Sequence, residues 1–235
     1  DIATWGTEYF HEKIGALFLE SIQHEAILKT TRLDSYDAII TKGNMRQLRP
    51  TLFDLLAFRA LEYFSSDERD VKKPAYAFEI NTASAFDPAA DFVHRKFETK
   101  DSASLEYQAL LLYQRLIAFH LEDKDPGALI DVDLARLQYV NQKSVHPDKS
   151  ELYFIAVSHV ADQYQTTPAA AQAWHLKASF LNQKADNYKP GQDSTDRFER
   201  VKALEICRQI IRDNPDTEGG VNAFNLSNAI TRKSL

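Results

Sequence analysis

The stretch AVSHVADQYQTTPAAAQAWHLKASFLNQK, residues 156–184, together with ALEICRQIIRDNP, residues 203–215, decides how this chain reads. Trp174 is followed four residues on by Ala178 and seven on by Leu181. At about 100° per residue the three fall on one face of a helix. Ala156 stands four residues before Val160 and twelve before Pro168, and Ala203 stands four before Cys207 and twelve before Pro215. An indole fills the space between two helices and a small residue lets a neighbouring helix approach. A proline then ends the second helix, having no N–H and a ring that clashes with the preceding turn.

Those spacings follow the pattern of a tetratricopeptide repeat (TPR), a helical hairpin that stacks on its neighbours. The interval from Pro168 to Trp174 fits one repeat handing over to the next. The interval from Trp174 to Ala203 is too long, and the surplus falls on Asn182–Asp196, which carries Lys189-Pro190-Gly191. We read it as a lengthened first helix and an inserted loop. The expected fold is all-α: antiparallel helical hairpins forming a TPR-like solenoid segment, preceded by an irregular helical N-terminal cap. Residues 1–100 supply the cap with one extended segment and residues 101–235 the hairpins, in one continuous domain.

Working outward, helices are expected from Asp101 or Ser102 to about Leu121, from Asp125-Pro126, from Asp148 with Glu151 to about Tyr164, and from Thr167-Pro168. Ser194 or Thr195 opens the Ala203 helix. Asp216 or Thr217 opens the last, with Val221, Phe224, Leu226 and Ile230 on its face. Short loops make these six helices three hairpins. Upstream, Glu8–Lys29 reads as one helix with a stripe of Phe10, Ile14, Leu17, Phe18 and Ile22. Tyr36, Ile39 and Ile40 suggest a short helix ended by Gly43. Arg49-Pro50-Thr51 opens a strong helix in which Thr51 and Asp54 have capping-box spacing. Its apolar residues, Leu52 to Phe64, run nearly all round, as in a buried helix. Pro74–Ile80 alternates Tyr76, Phe78 and Ile80, an extended segment laid on helices. Phe86, Phe92 and Phe97 pin the loop and short helix after it.

The composition excludes several classes. The chain of 235 residues has a net charge of −6 with only short, scattered basic groups, which disfavours nucleic acid. No apolar run approaches the roughly 20 residues of a membrane span. A single cysteine forbids an internal disulfide. The sequence opens at Asp1 without Met, which reads as a processed product or an excised piece.

No catalytic, cofactor or metal site emerges. His11-Glu12 would need a second His one turn on to make a zinc helix, and Gly15 stands there. Asp131 and Asp133 read as helix-surface carboxylates, since i and i+2 point apart. His159 reads as an interior histidine and Cys207 as a core residue. Gly219-Gly220 lacks the Lys-Ser/Thr of a phosphate loop. One binding surface suggests itself opposite Trp174. Gln172, His175, Ser179, Asn182 and Gln183 lie about 80–180° round the helix from the indole. First helices line the concave face of such arrays, and this face offers amides and hydroxyls to an extended peptide.

The run Arg49-Pro50-Thr51-Leu52-Phe53-Asp54-Leu55-Leu56-Ala57-Phe58-Arg59-Ala60-Leu61 resembles a segment from the N-terminal helical region of large bacterial alpha-2-macroglobulin-like proteins, of the Bacteroides type. Ala203 to Ile230, with Cys207, Pro215 and Gly219-Gly220, is similar to a later part of that region. The resemblance implies a non-enzymatic module of a protease-trap protein outside the cytoplasm, at the periplasm or cell surface, whose partner is protein. The family's reactive thioester uses Cys-Gly-Glu-Gln. Here Arg208 and Gln209 follow Cys207, so no thioester is carried over. Two other readings stay open: a free-standing adaptor that binds a peptide on the Gln172–Gln183 face, and a glycan-binding envelope protein suggested by 14 Phe, 10 Tyr and 2 Trp.

Overall fold

A computed structural model describes residues 4–41, 43–66, 76–191 and 194–233. Within them the chain is all-helical, and the only β-type pairing is an isolated antiparallel bridge between Arg32 and Thr51. The helices are α1 (Thr7–Ser21), α2 (Glu25–Thr30), α3 (Leu52–Phe64), α4 (Ala89–Phe92), α5 (Leu105–His120), α6 (Gly127–Lys143), α7 (Lys149–Gln163), α8 (Ala171–Lys184), α9 (Glu199–Asp213) and α10 (Glu218–Lys233).

α3 begins as its sequence dictates. The Thr51 hydroxyl accepts from the Asp54 N–H, and the Asp54 carboxylate accepts from the Thr51 N–H, a closed capping box. The helix then buries Phe53, Ala57, Ala60, Leu61 and Phe64, packed between α1, α2 and α5. On α5, Ala109, Leu112 and Leu116 recur at helical spacing and are buried, and on α6 Leu129, Val132, Leu134, Leu137 and Val140 are buried too. Ile80 ends an extended segment whose carbonyl accepts from Val145 N–H and the Ser144 hydroxyl. Residues 67–75, where the expected extended segment starts, lie outside the described residues. Phe86 and Phe92 are buried pins.

Several boundaries differ from expectation. Glu8–Lys29 is two helices, because Ile22 and Gln23 bond back three residues, to Leu19 and Glu20, and the turn drops Ile22 into the core. Only part of the α1 stripe is covered, and Leu17 stays 61% exposed. Leu33–Tyr36 is a single 3-10 turn, after which Ile39 stands in solvent. α5 is capped by Ser104, not Asp101 or Ser102, because Asp101–Ser104 first closes a turn of its own. The Asp148 side chain makes no cap bond, and Pro168–Ala170 is a 3-10 turn leading into α8. α9 starts at Glu199, since Asp196 has φ 63°, a left-handed value no right-handed helix admits. His159 is exposed; Val157 and Val160 take the inward positions of α7. Val221 and Phe224 face outward on α10, whose inner side is Gly219, Gly220, Ala223 and Ile230.

Two apolar cores result. The larger runs from Ile22 to Leu176, across residue 100 without a break. The smaller joins Ala178, Leu181, Ala203, Cys207, Ile210, Ala223 and Ile230 on α8, α9 and α10. Trp174 packs against both, half-buried, with the Lys177 ammonium 4.7 Å from its ring centroid. Because part of the ring keeps its water, Trp174→Ala is expected to cost about 2–3 kcal/mol, below the value for a fully buried indole. Urea unfolding measures it, and a loss under about 1 kcal/mol would remove the ring from its place between the cores.

Candidate functional site

Two of the five side chains on the face expected to bind peptide reach neighbouring helices. Gln172 accepts at Oε1 from Asn222 Nδ2 of α10, 3.1 Å away, and Asn182 accepts at Oδ1 from Arg200 Nε of α9 at 3.4 Å. His175 and Ser179 are half-buried and lie 3.4 Å apart, Nε2 to Oγ, and burial holds the imidazole pKa below its ordinary value. Gln183 is exposed. Gln172 and Asn182 therefore bridge α8 to α10 and α9, His175 and Ser179 face each other within α8, and Gln183 stays open.

A groove of about 450 Å³ lies along α3, with Leu33, Leu55, Phe58, Leu61, Tyr113 and Ala135 as its apolar lining. Leu55, Phe58, Arg59, Glu62 and Ser65 recur at helical spacing and form one wall about 15 Å long. Arg49 stands at its end. Its guanidinium lies 3.6 Å from the Phe58 ring centroid and donates to Asp131, with Nε 2.7 Å from the carboxylate. Stacking and ion pair together fix the planar cation at the rim. Burial, the main cause, raises the Tyr113 phenol pKa well above its ordinary value, so the hydroxyl stays protonated there.

Behind the groove, α6 holds a buried ion pair. Arg136 is fully buried, and its Nε and Nη2 donate to one Asp133 oxygen at 2.9 and 2.6 Å. Nη1 donates to the Ala85 carbonyl at 2.6 Å and Nη2 also to the Asp87 carbonyl at 3.0 Å, while Phe92 stacks on the guanidinium. Asp133 is therefore not the surface carboxylate its spacing suggested: the 83–92 segment covers it. Asp131, half-buried, is the partner of Arg49.

The third feature is His120, 2% exposed at the end of α5. Its Nε2 lies 2.8 Å from Asp54 Oδ1 and its Nδ1 2.8 Å from Asp123 Oδ2. Desolvation, the largest single influence, opposes the charged ring; the two carboxylates together outweigh it and raise the pKa. Only the i, i+3 spacing to Asp123 was visible in the sequence, since Asp54 lies 66 positions away.

Cys207 is fully buried and burial pushes its thiol pKa up to about 11, the behaviour of a core residue and not of a nucleophile. Among the described residues there is no cluster of three or more His, Cys, Asp or Glu able to hold a metal, and no helix long and apolar enough to cross a membrane. Comparison with family models, curated proteins and solved structures gives no match.

Proposed function

We propose that this chain is a non-enzymatic helical-repeat module that works by docking protein, as the N-terminal part of a larger alpha-2-macroglobulin-like protein of the bacterial envelope. The observation that carries the repeat reading is the set of neighbours around α8. In a stack of such hairpins a first helix meets its own second helix, the second helix before it and the first helix after it. α8 packs on α9, α7 and α10. Ala178, Ala203 and Ala223, all fully buried, stand where these helices meet. The macroglobulin part rests on the resemblance of Arg49–Leu61 and Ala203–Ile230. The docking surface we favour is the α3 groove, whose apolar lining and fixed Arg49 stand ready, over the α8 face, two of whose amides, Gln172 and Asn182, are bonded to neighbouring helices.

The test is to read the frame encoding this chain on both sides, and to measure binding of this chain to the polypeptide encoded after Leu235 by calorimetry. Phe58→Ala with Arg59→Glu should weaken that binding at least about tenfold, or about 1.4 kcal/mol. Unchanged affinity in that variant would move the docking surface elsewhere. A frame without macroglobulin domains would end the parentage and leave a free-standing adaptor.

A further inference from the structure

His120 has both ring nitrogens at hydrogen-bond distance from carboxylate oxygens. A neutral imidazole carries one N–H, so either tautomer would turn a lone pair on one of those carboxylates. A doubly protonated ring satisfies both. Asp54 is held as an acceptor by more than the ring: its Oδ2 also accepts from the Thr51 N–H at 2.9 Å and hydroxyl at 2.8 Å. The imidazolium therefore ties the first turn of α3 to the loop between α5 and α6. That loop, through Asp123, Lys124 and Asp125, walls a second cleft of about 280 Å³ with Gln47, Leu48 and Pro50 opposite.

We propose that one proton on His120 is a latch, holding the α5–α6 loop against the entry of α3, and that its loss to solvent on the alkaline side opens this cleft. Of the two carboxylates, Asp123 is the one that lets go. Asp54 is fully buried and keeps its two bonds from Thr51, whereas the Asp123 side chain is 38% exposed and can turn to water. The other elements around the ring bring charges that already pair. From α2, Lys29 lies 5.2 Å from the centroid of Phe119, the ring beside the imidazole, and is ion-paired with Glu25. Glu25 also binds Arg115 of α5. Asp54 and Asp123 are the charges that act directly on His120.

The raised pKa sets the sign. A histidine whose folded pKa exceeds its unfolded value stabilises fully below the unfolded value, about pH 6.5, and loses that contribution as pH rises through the folded pKa. The test is nitrogen-15 NMR of the histidine rings with amide hydrogen exchange on the intact chain. At pH 6.5 both His120 nitrogens should be protonated. Across its titration, the amides of residues 121–125 and 127 should exchange about tenfold faster after correction for the intrinsic pH dependence. Asp123→Asn should shift the His120 midpoint to lower pH and leave the remaining amides as they were. A His120 ring with one protonated nitrogen at pH 6.5, loop exchange that ignores the midpoint, or a midpoint unmoved by Asp123→Asn would each overturn the latch.

Discussion

Asp133→Ala should lower stability by about 3–5 kcal/mol, because it strands a fully buried guanidinium without its counter-charge. Arg136 has no route to solvent. Its four hydrogen bonds end on Asp133 and on the Ala85 and Asp87 carbonyls, so the loss of Asp133 leaves two donors facing empty space. A domain of ordinary stability has only about 5–15 kcal/mol to lose. The melting temperature should fall on the order of 10 °C for a chain of this size. The double variant Asp133→Leu with Arg136→Met should cost less than Asp133→Ala alone, since removing both charges also removes both desolvation penalties. Urea unfolding of the three proteins decides it. If the single variant loses less than about 1 kcal/mol, water reaches Arg136 and the strap between α6 and the 83–92 segment is looser than the geometry indicates.

This pair also marks where sequence reasoning stops. Asp133 and Arg136 are three apart on one helix, and that spacing alone suits a solvated surface pair. What buries them is a segment about fifty positions upstream, whose carbonyls turn toward Arg136. The Thr51–Asp54 box was legible because its partners are three residues apart and every bond closes locally. On α5, Ala109, Leu112 and Leu116 were legible because they recur at helical spacing, whereas α6 is buried nearly all round and periodicity does not sort it. The α1 stripe was periodic too, yet nothing among the described residues covers Leu17. Periodicity says which residues share a face, and not whether a neighbour comes to cover it. The polar side of α8 shows the opposite case at Gln172 and Asn182. Those two amides, read as part of a ligand-binding face, are used by Asn222 and Arg200 from helices later in the chain. The His120 bridge needed Asp54 from α3, and the groove needed Tyr113 and Ala135 from two further helices, so neither could be assembled before folding.

Gly219→Ala should be strongly destabilising although the residue sits in the first turn of a helix, where alanine is ordinarily the better choice by roughly 0.5–1 kcal/mol. A methyl group there would lie 2.2 Å from the Ala171 carbonyl carbon and 2.4 Å from the Gln172 nitrogen. Both atoms are backbone at the start of α8 and cannot rotate aside. Carbon atoms pack at about 3.5–4.0 Å, so α10 would have to retreat from α8 by more than about 1 Å at its N-terminus. That retreat stretches the Gln172–Asn222 hydrogen bond and opens the smaller core at Ala171 and Ala223. The expected cost is about 3 kcal/mol or more, at the upper end for overpacking. Gly15→Ala supplies the control with the same chemistry. Its methyl would meet only side-chain carbons of Leu105 and Tyr63 at 3.8 and 4.0 Å, ordinary contact distances. In the middle of α1 it should therefore stabilise by about 0.5–1 kcal/mol. Opposite signs for two identical substitutions, read by urea unfolding, would tie the stacking of α10 on α8 to the glycine. Should Gly219→Ala prove neutral or stabilising, α10 does not approach α8 this closely, and the neighbour pattern that supports the repeat reading goes with it.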